Sequence, residues 1–258
     1  MTGAWRAYRW RLIRPVPVAS AVNHALDEVL TRRVGAGRRE PTLRFWGRVE
    51  PEVVLGRFQS VRNEVDAQAA ARHGLQITRR MTGGGAIFIE PENVITYSIT
   101  APPELVEGMS FVESYAFLDS WVIEALRSLG IDAWYQPIND ITSAQGKIGG
   151  AAQSRRFGAV LHHVTMSYDI NSSRMLEVLR TGREKLSDKG IASAAKRVAP
   201  LRVQTNLPRD IIVQRMVDTF AKRHGGLTED RVGDDEMAEA EELVATKYGT
   251  HAWTYLLP

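Results

Sequence analysis

Residues 79–88 read Arg79-Arg80-Met81-Thr82-Gly83-Gly84-Gly85-Ala86-Ile87-Phe88. Before the glycines, Leu75, Ile77 and Arg79 alternate as in a strand, and Ala86 to Ile89 form a returning strand after them. Three successive glycines make a poor core element, because each costs backbone entropy and brings no side chain to pack. They do let backbone N–H groups approach an anion closely, with arginines beside them to neutralise its charge. Arg79 and Arg80 fall on opposite faces of the strand, so at most one faces a ligand. By itself a triple glycine is equally consistent with a plain turn.

Outward from this loop the chain alternates short strands with single helices. Val22, Leu26, Val29 and Leu30 have helical spacing within 19–34, and 63–73 reads as a helix ending at Gly74. The longest helix spans 111–129, with Val112, Tyr115, Leu118, Val122 and Leu126 on one face and Gly130 closing it. Strands are expected at 43–46, 53–56, 94–100, 133–136 and 159–170; along the last, Val160, His162, Val164 and Met166 share one face. Further helices are expected at about 173–180, 208–224 and 233–247, and the acidic run 229–242 is most simply a solvated helix face. Strands joined by tight turns, with helices coming one at a time, predict an α+β fold. Its sheet is mainly antiparallel and flanked by helices.

Composition narrows the function. A chain of 258 residues with 44% apolar side chains suits one large domain. With 33 basic against 30 acidic side chains, the net charge of +3 is too balanced to argue for nucleic acid. No stretch approaches the roughly 18 apolar residues of a membrane span. The segment Trp5-Arg6-Ala7-Tyr8-Arg9-Trp10-Arg11 lacks the apolar core of a secretory signal, so a cytoplasmic location is expected. Cysteine is absent, which removes disulfides, cysteine-ligated zinc and any thiol nucleophile.

Several polar pieces remain: Asn139-Asp140, which alone is a turn with Asx hydrogen bonds, Lys147 within Gly146-Lys147-Ile148-Gly149-Gly150-Ala151-Ala152-Gln153, and His162-His163. The two histidines point to opposite faces of a strand and cannot share one metal from it. In order along the chain these pieces, with Asn23-His24-Ala25-Leu26-Asp27-Glu28 and Gly56-Arg57-Phe58-Gln59 followed by Asn63-Glu64-Val65, resemble the lipoate-protein ligase A group of the biotin/lipoate protein ligase superfamily. Thr165 after the histidines, Lys189-Gly190-Ile191 and Arg197-Val198 extend the likeness.

The resemblance implies that fold and two half-reactions. Lipoate or octanoate and ATP give an acyl-adenylate, and a lysine of a lipoyl-acceptor domain then takes the acyl group with release of AMP. Lys147 and Asp140 are the expected catalytic residues, Lys147 neutralising charge on the carboxylate and α-phosphate. Arg80, Thr82, Gly83, Gly84, Gly85, Ala86, Ile87, Phe88, Asn139, Lys147 and Gly150 are expected to hold the nucleotide and adenylate. Asp140 is the candidate Mg²⁺ ligand. Val160, His162 and Val164 are expected to line the acyl slot, where each buried methylene contributes about 0.8 kcal/mol. Segments near 140–150 and 179–197 are the candidate lids over a dry site.

The chain departs from the family's pattern at Ile89-Glu90, where a His-Asp pair is usual, and at Val164, where a glycine is usual. Its end at 258, near the close of the family's large domain, leads us to expect one catalytic domain over 1–258 without the C-terminal accessory domain, and hence a separate accessory subunit. Fold relatives that transfer octanoyl or lipoyl groups act through a cysteine thioester, a mechanism unavailable to a chain without cysteine. Two alternatives stand beside the ligase reading. One is a biotin-protein ligase, whose glycine loop is richer in arginine. The other is a non-catalytic protein that binds lipoyl domains, against which Lys147 speaks.

Overall fold

Residues 94–101, Val-Ile-Thr-Tyr-Ser-Ile-Thr-Ala, run through the middle of a computed structural model that describes residues 3–180 and 198–257. The strands are β1 (Arg11–Ile13), β2 (Pro17–Val18), β3 (Thr42–Phe45), β4 (Gly47–Arg48), β5 (Glu52–Leu55), β6 (Gln76–Arg79), β7 (Ile87–Ile89), β8 (Val94–Ala101), β9 (Ala133–Gln136), β10 (Asp140–Ser143), β11 (Gly146–Arg156), β12 (Ala159–Ser167) and β13 (Thr228–Asp230). The helices are α1 (Gly3–Arg6), α2 (Ser20–Gly35), α3 (Val61–Glu64), α4 (Ala67–Arg72), α5 (Phe111–Ser128), α6 (Ser172–Val178), α7 (Leu201–Thr205), α8 (Arg209–His224), α9 (Asp234–Leu243) and α10 (His251–Thr254).

The large sheet has the order β13-β1-β3-β8-β12-β11-β10-β9. Its first three strands are parallel, and from β3 to β9 every pairing is antiparallel. The strand period of two sorts β8 into two buried faces. Ile95, Tyr97, Ile99 and Ala101 join the main apolar core with α5 and α8, through Leu118, Trp121, Val122, Met216 and Phe220. Thr96, Ser98 and Thr100 are buried on the opposite face. Helix α2 packs there, against β8 and β12. Its own buried set includes Asn23, His24, Asp27, Glu28 and Thr31. The fold therefore has an apolar interlayer on one side of the sheet and a polar one on the other.

Local chemistry accounts for the element ends. Ser110 and Glu113 form a capping box at the start of α5, and Gly130 follows its end with a φ of +83°. The helix expected over 63–73 is two, because Val65 leaves helical geometry to bridge Leu179, and Asp66 caps α4 by accepting from the Ala69 amide at 2.9 Å. The helix expected at 233–247 ends at Leu243 and continues as a π-turn over Val244–Tyr248.

The returning strand after the glycines does not pair with the strand before them. β6 and β7 both pair with β5, in the order β6-β5-β7, β6 parallel and β7 antiparallel. The loop from Arg80 to Ala86 therefore crosses the end of β5 instead of closing a hairpin.

Arg79, at the end of β6, is fully buried and ties this small sheet to the C-terminal helix. It donates to the carbonyls of Gly56 (2.9 Å), Gln59 (2.7 Å) and Thr254 (2.8 Å), while Trp253 Nε1 donates back to the Arg79 carbonyl at 2.8 Å. Removing one side of such a set leaves buried carbonyls without donors. Arg79→Ala should therefore lower the unfolding free energy by about 3 kcal/mol in urea titrations. It should also speed amide exchange in 251–257. Wild-type exchange there would show that the arginine does not hold the helix down.

Candidate active site

The cleft opens on the polar side of the sheet, where β11 and β12 face the loop that crosses β5. It has two chambers. The first, about 100 Å³, is walled by residues including His24, Trp46, Arg48, Val54, Arg80, Ile89, Thr96, Ala152 and His163. The second, about 210 Å³, is walled mainly by Phe88, Val94, Ile148, Ile170, Met175, Leu179 and Val198. Ala86, Ile87, Lys147, Gly150 and Thr165 border both. Lys147 therefore stands at the junction, across from the backbone that follows the glycines.

Lys147 lies on β11 opposite Thr142, next to a bulge in the pairing with β10 between Ile141 and Thr142. Bulges re-aim side chains. Its Nζ contacts Asp140 Oδ1 at 2.7 Å, and the lysine side chain is 46% exposed, so it is fixed yet open to a ligand. Its carbonyl accepts from the Ala199 amide at 2.7 Å, which pins the strand at that residue. A Cβ at Gly150 would lie 3.3 Å from Lys147 Nζ, so glycine there keeps space for the ammonium. Asn139 anchors the approach to β10: its Nδ2 donates to the Ala151 carbonyl at 2.6 Å, and its carbonyl accepts from the Ala151 amide at 2.8 Å.

The glycine loop is shaped around Arg80. Its guanidinium donates to Thr82 Oγ1 (3.1 Å), the Gly83 carbonyl (2.6 Å) and the Gly85 carbonyl (2.9 Å). Gly84 has a φ of +94°, and a Cβ on it would meet Arg80 Nη2 at 2.8 Å. A Cβ on Gly56 would meet the Gly84 carbonyl at 2.0 Å, which explains the glycine that opens Gly56-Arg57-Phe58-Gln59. Burial pulls the Arg80 guanidinium down to about 10, still charged at neutral pH. Every partner it has among the described residues is a neutral oxygen.

The other buried charges at the first chamber are paired. Arg48 Nε meets Glu52 Oε1 at 2.9 Å, and Thr78 Oγ1 donates to Glu52 Oε2 at 2.7 Å. Arg44 Nη2 meets Asp27 Oδ1 at 2.7 Å, and Ser98 donates to the same oxygen at 2.8 Å. Burial alone would push the Asp27 carboxyl up; Arg44 and the hydrogen bonds outweigh it and hold it at about 2. His163 lies between Asp27 (Nδ1 to Oδ2, 2.9 Å) and Thr82 (Nε2 to Oγ1, 2.8 Å). Its burial pushes the imidazole down to about 4, against the pull of Asp27.

Of the residues expected at the site, Arg80, Gly85, Ala86, Ile87, Phe88, Asn139, Lys147 and Gly150 come together at the cleft. Thr82, Gly83 and Gly84 stand behind it, holding Arg80, and Asp140 acts on the cleft through Lys147. Val160, His162 and Val164 need correcting. They face α5: Val160 and Val164 belong to the main core, and His162 Nε2 meets Asp119 Oδ1 at 2.6 Å. The cleft takes the other face of β12, with His163 and Thr165. The valine at the usual glycine position consequently leaves the chamber walls untouched. Ile89 does line the first chamber as an apolar side chain, and Glu90 pairs instead with Arg174 and Asn93.

His24, Trp46, Arg48 and His163 were not anticipated as chamber walls. One signal was present in β12, where Val160, Val164 and Met166 alternate with His163, Thr165 and Ser167. The apolar row belonged against a helix. Of the expected lid segments, 181–197 lies outside the described residues, as do Lys189, Gly190, Ile191 and Arg197. Among the described residues no three metal-type side chains lie together.

Residues 19–224 match the family described as the lipoyl protein ligase A/B catalytic domain. An octanoyltransferase LipM of Geobacillus kaustophilus is 26% identical over 275 residues, covering 95% of this chain and 98% of the relative. The structure of a bi-partite lipoate protein ligase from Thermoplasma acidophilum, studied with its E2 lipoyl domain, superposes with a TM-score of 0.85 at 28% identity, covering 97% of both chains. A lipoate-protein ligase A bound with ATP superposes with a TM-score of 0.84 at 26% identity, covering 97% of this chain and 100% of the other.

The His163 environment has a measurable consequence. The folded state holds it neutral to about 4, while an unfolded histidine titrates near 6.5. Unfolding then takes up a proton between these values, so this contribution is complete above about pH 6.5 and is lost as pH falls toward 4. In urea titrations the wild-type chain should lose about 3 kcal/mol more than His163→Gln between pH 7 and 4. Parallel profiles would mean that the imidazole is not held neutral.

Proposed function

We propose that this chain, which belongs to the lipoyl protein ligase A/B catalytic-domain family, activates lipoate or octanoate with ATP and passes the acyl group to a lysine of a lipoyl-acceptor domain. The observation that carries this reading is Lys147 at the junction of two chambers, opposite a loop whose buried arginine has no carboxylate partner among the described residues. In adenylation a carboxylate oxygen attacks the α-phosphorus and pyrophosphate leaves. Negative charge then collects between the two substrates, where a fixed ammonium neutralises it.

The chambers divide the substrates. The first, about 100 Å³ against about 210 Å³, is the narrower of the two, and Arg48 in its wall is paired with Glu52, so it suits the acyl chain. Val54, Ile87, Ile89 and Ala152 supply the apolar surface. The nucleotide takes the second chamber, where Ala86, Ile87 and Phe88 follow the glycines. Mg²⁺ is commonly held by one or two carboxylates plus substrate phosphates, and Asp140 fits that role beside Lys147. Bound there, the ion would supply further neutralisation of phosphate charge. ATP in the structural relative supports this nucleotide.

The octanoyltransferase among the relatives favours a second reading, acyl transfer without ATP. A chain of 258 residues without cysteine supports the adenylate route, because a mixed anhydride needs no enzyme nucleophile. The bi-partite relative supports a separate accessory subunit for this chain as well.

Lys147→Ala should abolish acyl-AMP formation from ATP and lipoate while changing stability by less than about 0.5 kcal/mol, as expected for a half-exposed ion pair. Near-normal acyl-AMP from this variant would sink the assignment. The two half-reactions should also separate. The purified chain should transfer from supplied lipoyl-AMP, since that step needs only positioning of the acceptor lysine. It should adenylate poorly until an accessory subunit is added. Full activity from ATP and lipoate with no second polypeptide would show the partner inference to be wrong.

A further inference from the structure

The side chains behind the first chamber form a single line of hydrogen bonds, and its direction follows from the chemistry of its ends. Asp27 is a buried carboxylate, so both its oxygens can only accept. Oδ1 takes Arg44 and Ser98, and Oδ2, 2.9 Å from His163 Nδ1, requires that nitrogen to carry a proton. A neutral imidazole protonated at Nδ1 has a bare Nε2, so the Thr82 hydroxyl, 2.8 Å away, must donate to it. The Thr82 oxygen is then left to accept from Arg80 Nε at 3.1 Å. Arg80 gives to Thr82, Thr82 to His163, and His163 to Asp27.

We propose that Asp27, His163 and Thr82 are positioning residues that fix the Arg80 guanidinium for the carboxylate of the acyl substrate. With Nε shared between Thr82 and the Gly83 carbonyl, and Nη2 held by the carbonyls of Gly83 and Gly85, the plane of the guanidinium is set from behind. Nη1 is bound only loosely, with the Val54 carbonyl at 3.4 Å, and is the group left to meet an anion. Reversing the tautomer would bring two acceptors, Nδ1 and Oδ2, face to face and leave the Thr82 proton without Nε2. Thr82 is 1% exposed, so it serves as a link in the line and not as a nucleophile. Protonating His163 would add a second positive charge near Arg80 and His24, countered only by Asp27, and would turn the Thr82 hydroxyl away.

This inference rests on the acyl substrate occupying the first chamber, so one arm of the test needs no turnover. In ¹⁵N-histidine NMR of the resting protein, His163 should show a protonated Nδ1 and a bare Nε2 from pH 8 to 5. Asp27→Asn should reverse the pattern, because Arg44 keeps the amide oxygen and turns the amide NH₂ toward the imidazole. An Nε2-protonated His163 in the wild-type chain would overturn the proposal. In the second arm, lipoate binding is measured by calorimetry and lipoyl-AMP formation by assay. Thr82→Val should weaken lipoate binding and raise its KM about tenfold, with kcat changed less, and Thr82→Ser should recover most of the loss. Unchanged lipoate affinity in Thr82→Val would also overturn it, even if that variant is less stable. A wild-type chain that binds lipoate and forms no lipoyl-AMP counts against the catalytic reading alone; the binding comparison still decides the role of the line.

Discussion

A guanidinium buried at 3% exposure, with only neutral oxygens as partners among the described residues, is the constraint on which the rest of the site depends. Burying an uncompensated charge is costly, and the protein meets the cost with carbonyl dipoles rather than a carboxylate. That choice dictates the loop. The carbonyls of Gly83 and Gly85 can turn onto Arg80 only because Gly84 takes a positive φ between them and has no Cβ to strike Nη2. The same loop lies against Gly56, where a Cβ would have no room. Among the described residues no carboxylate pairs with Arg80, so its positive charge is left to the first chamber that it lines.

The contrast with Arg79, the next residue back, shows how finely the chain distinguishes two adjacent arginines. Arg79 also binds only neutral groups among the described residues, but its carbonyl partners come from two separate segments, 56–59 and 253–257, and it ties the small sheet to the C-terminal helix. The strand alternates faces, so one arginine is turned into structure and the other toward the cleft. Two like charges in sequence serve two different ends because they never share a surface.

This alternation also decides what was legible in the sequence. The strand at β8, the period of β12, the closing of α5 by Gly130, the α+β class and the grouping of Arg80, Asn139, Lys147 and Gly150 all follow from local patterns or from ordered motifs. What failed was the choice of face on β12. Val160, His162 and Val164 look like the lining of an apolar slot, yet an apolar row is what a sheet needs against α5. The residues that line the cleft are polar ones satisfied by distant partners. Asp27 and His163 are 136 positions apart, and Thr82 and His163 are 81. No local pattern reports such pairs, which exist only once α2, β12 and the glycine loop meet. The hairpin expected at the glycines failed for a similar reason, since β5 inserts between β6 and β7 from elsewhere in the chain.

The polar interlayer between α2 and the sheet explains why the cleft can be dry without being apolar. Asp27 with Arg44, and Glu52 with Arg48, cancel in pairs; Ser98 and His163 also donate to Asp27 and Thr78 to Glu52, while Arg44 Nε has no hydrogen-bond partner among the described residues. Buried networks whose charges cancel in pairs are rigid and present little that water can bind. An acyl chain entering the first chamber therefore displaces no strong hydrogen bonds from its walls. Unpaired charge is kept for Arg80, in the wall of the first chamber, and Lys147 stands at the border of the two chambers. On the reading proposed above, an activated acyl group at that junction would have charge-paired walls on one side and a cation on the other, the combination that protects a mixed anhydride until an amine arrives.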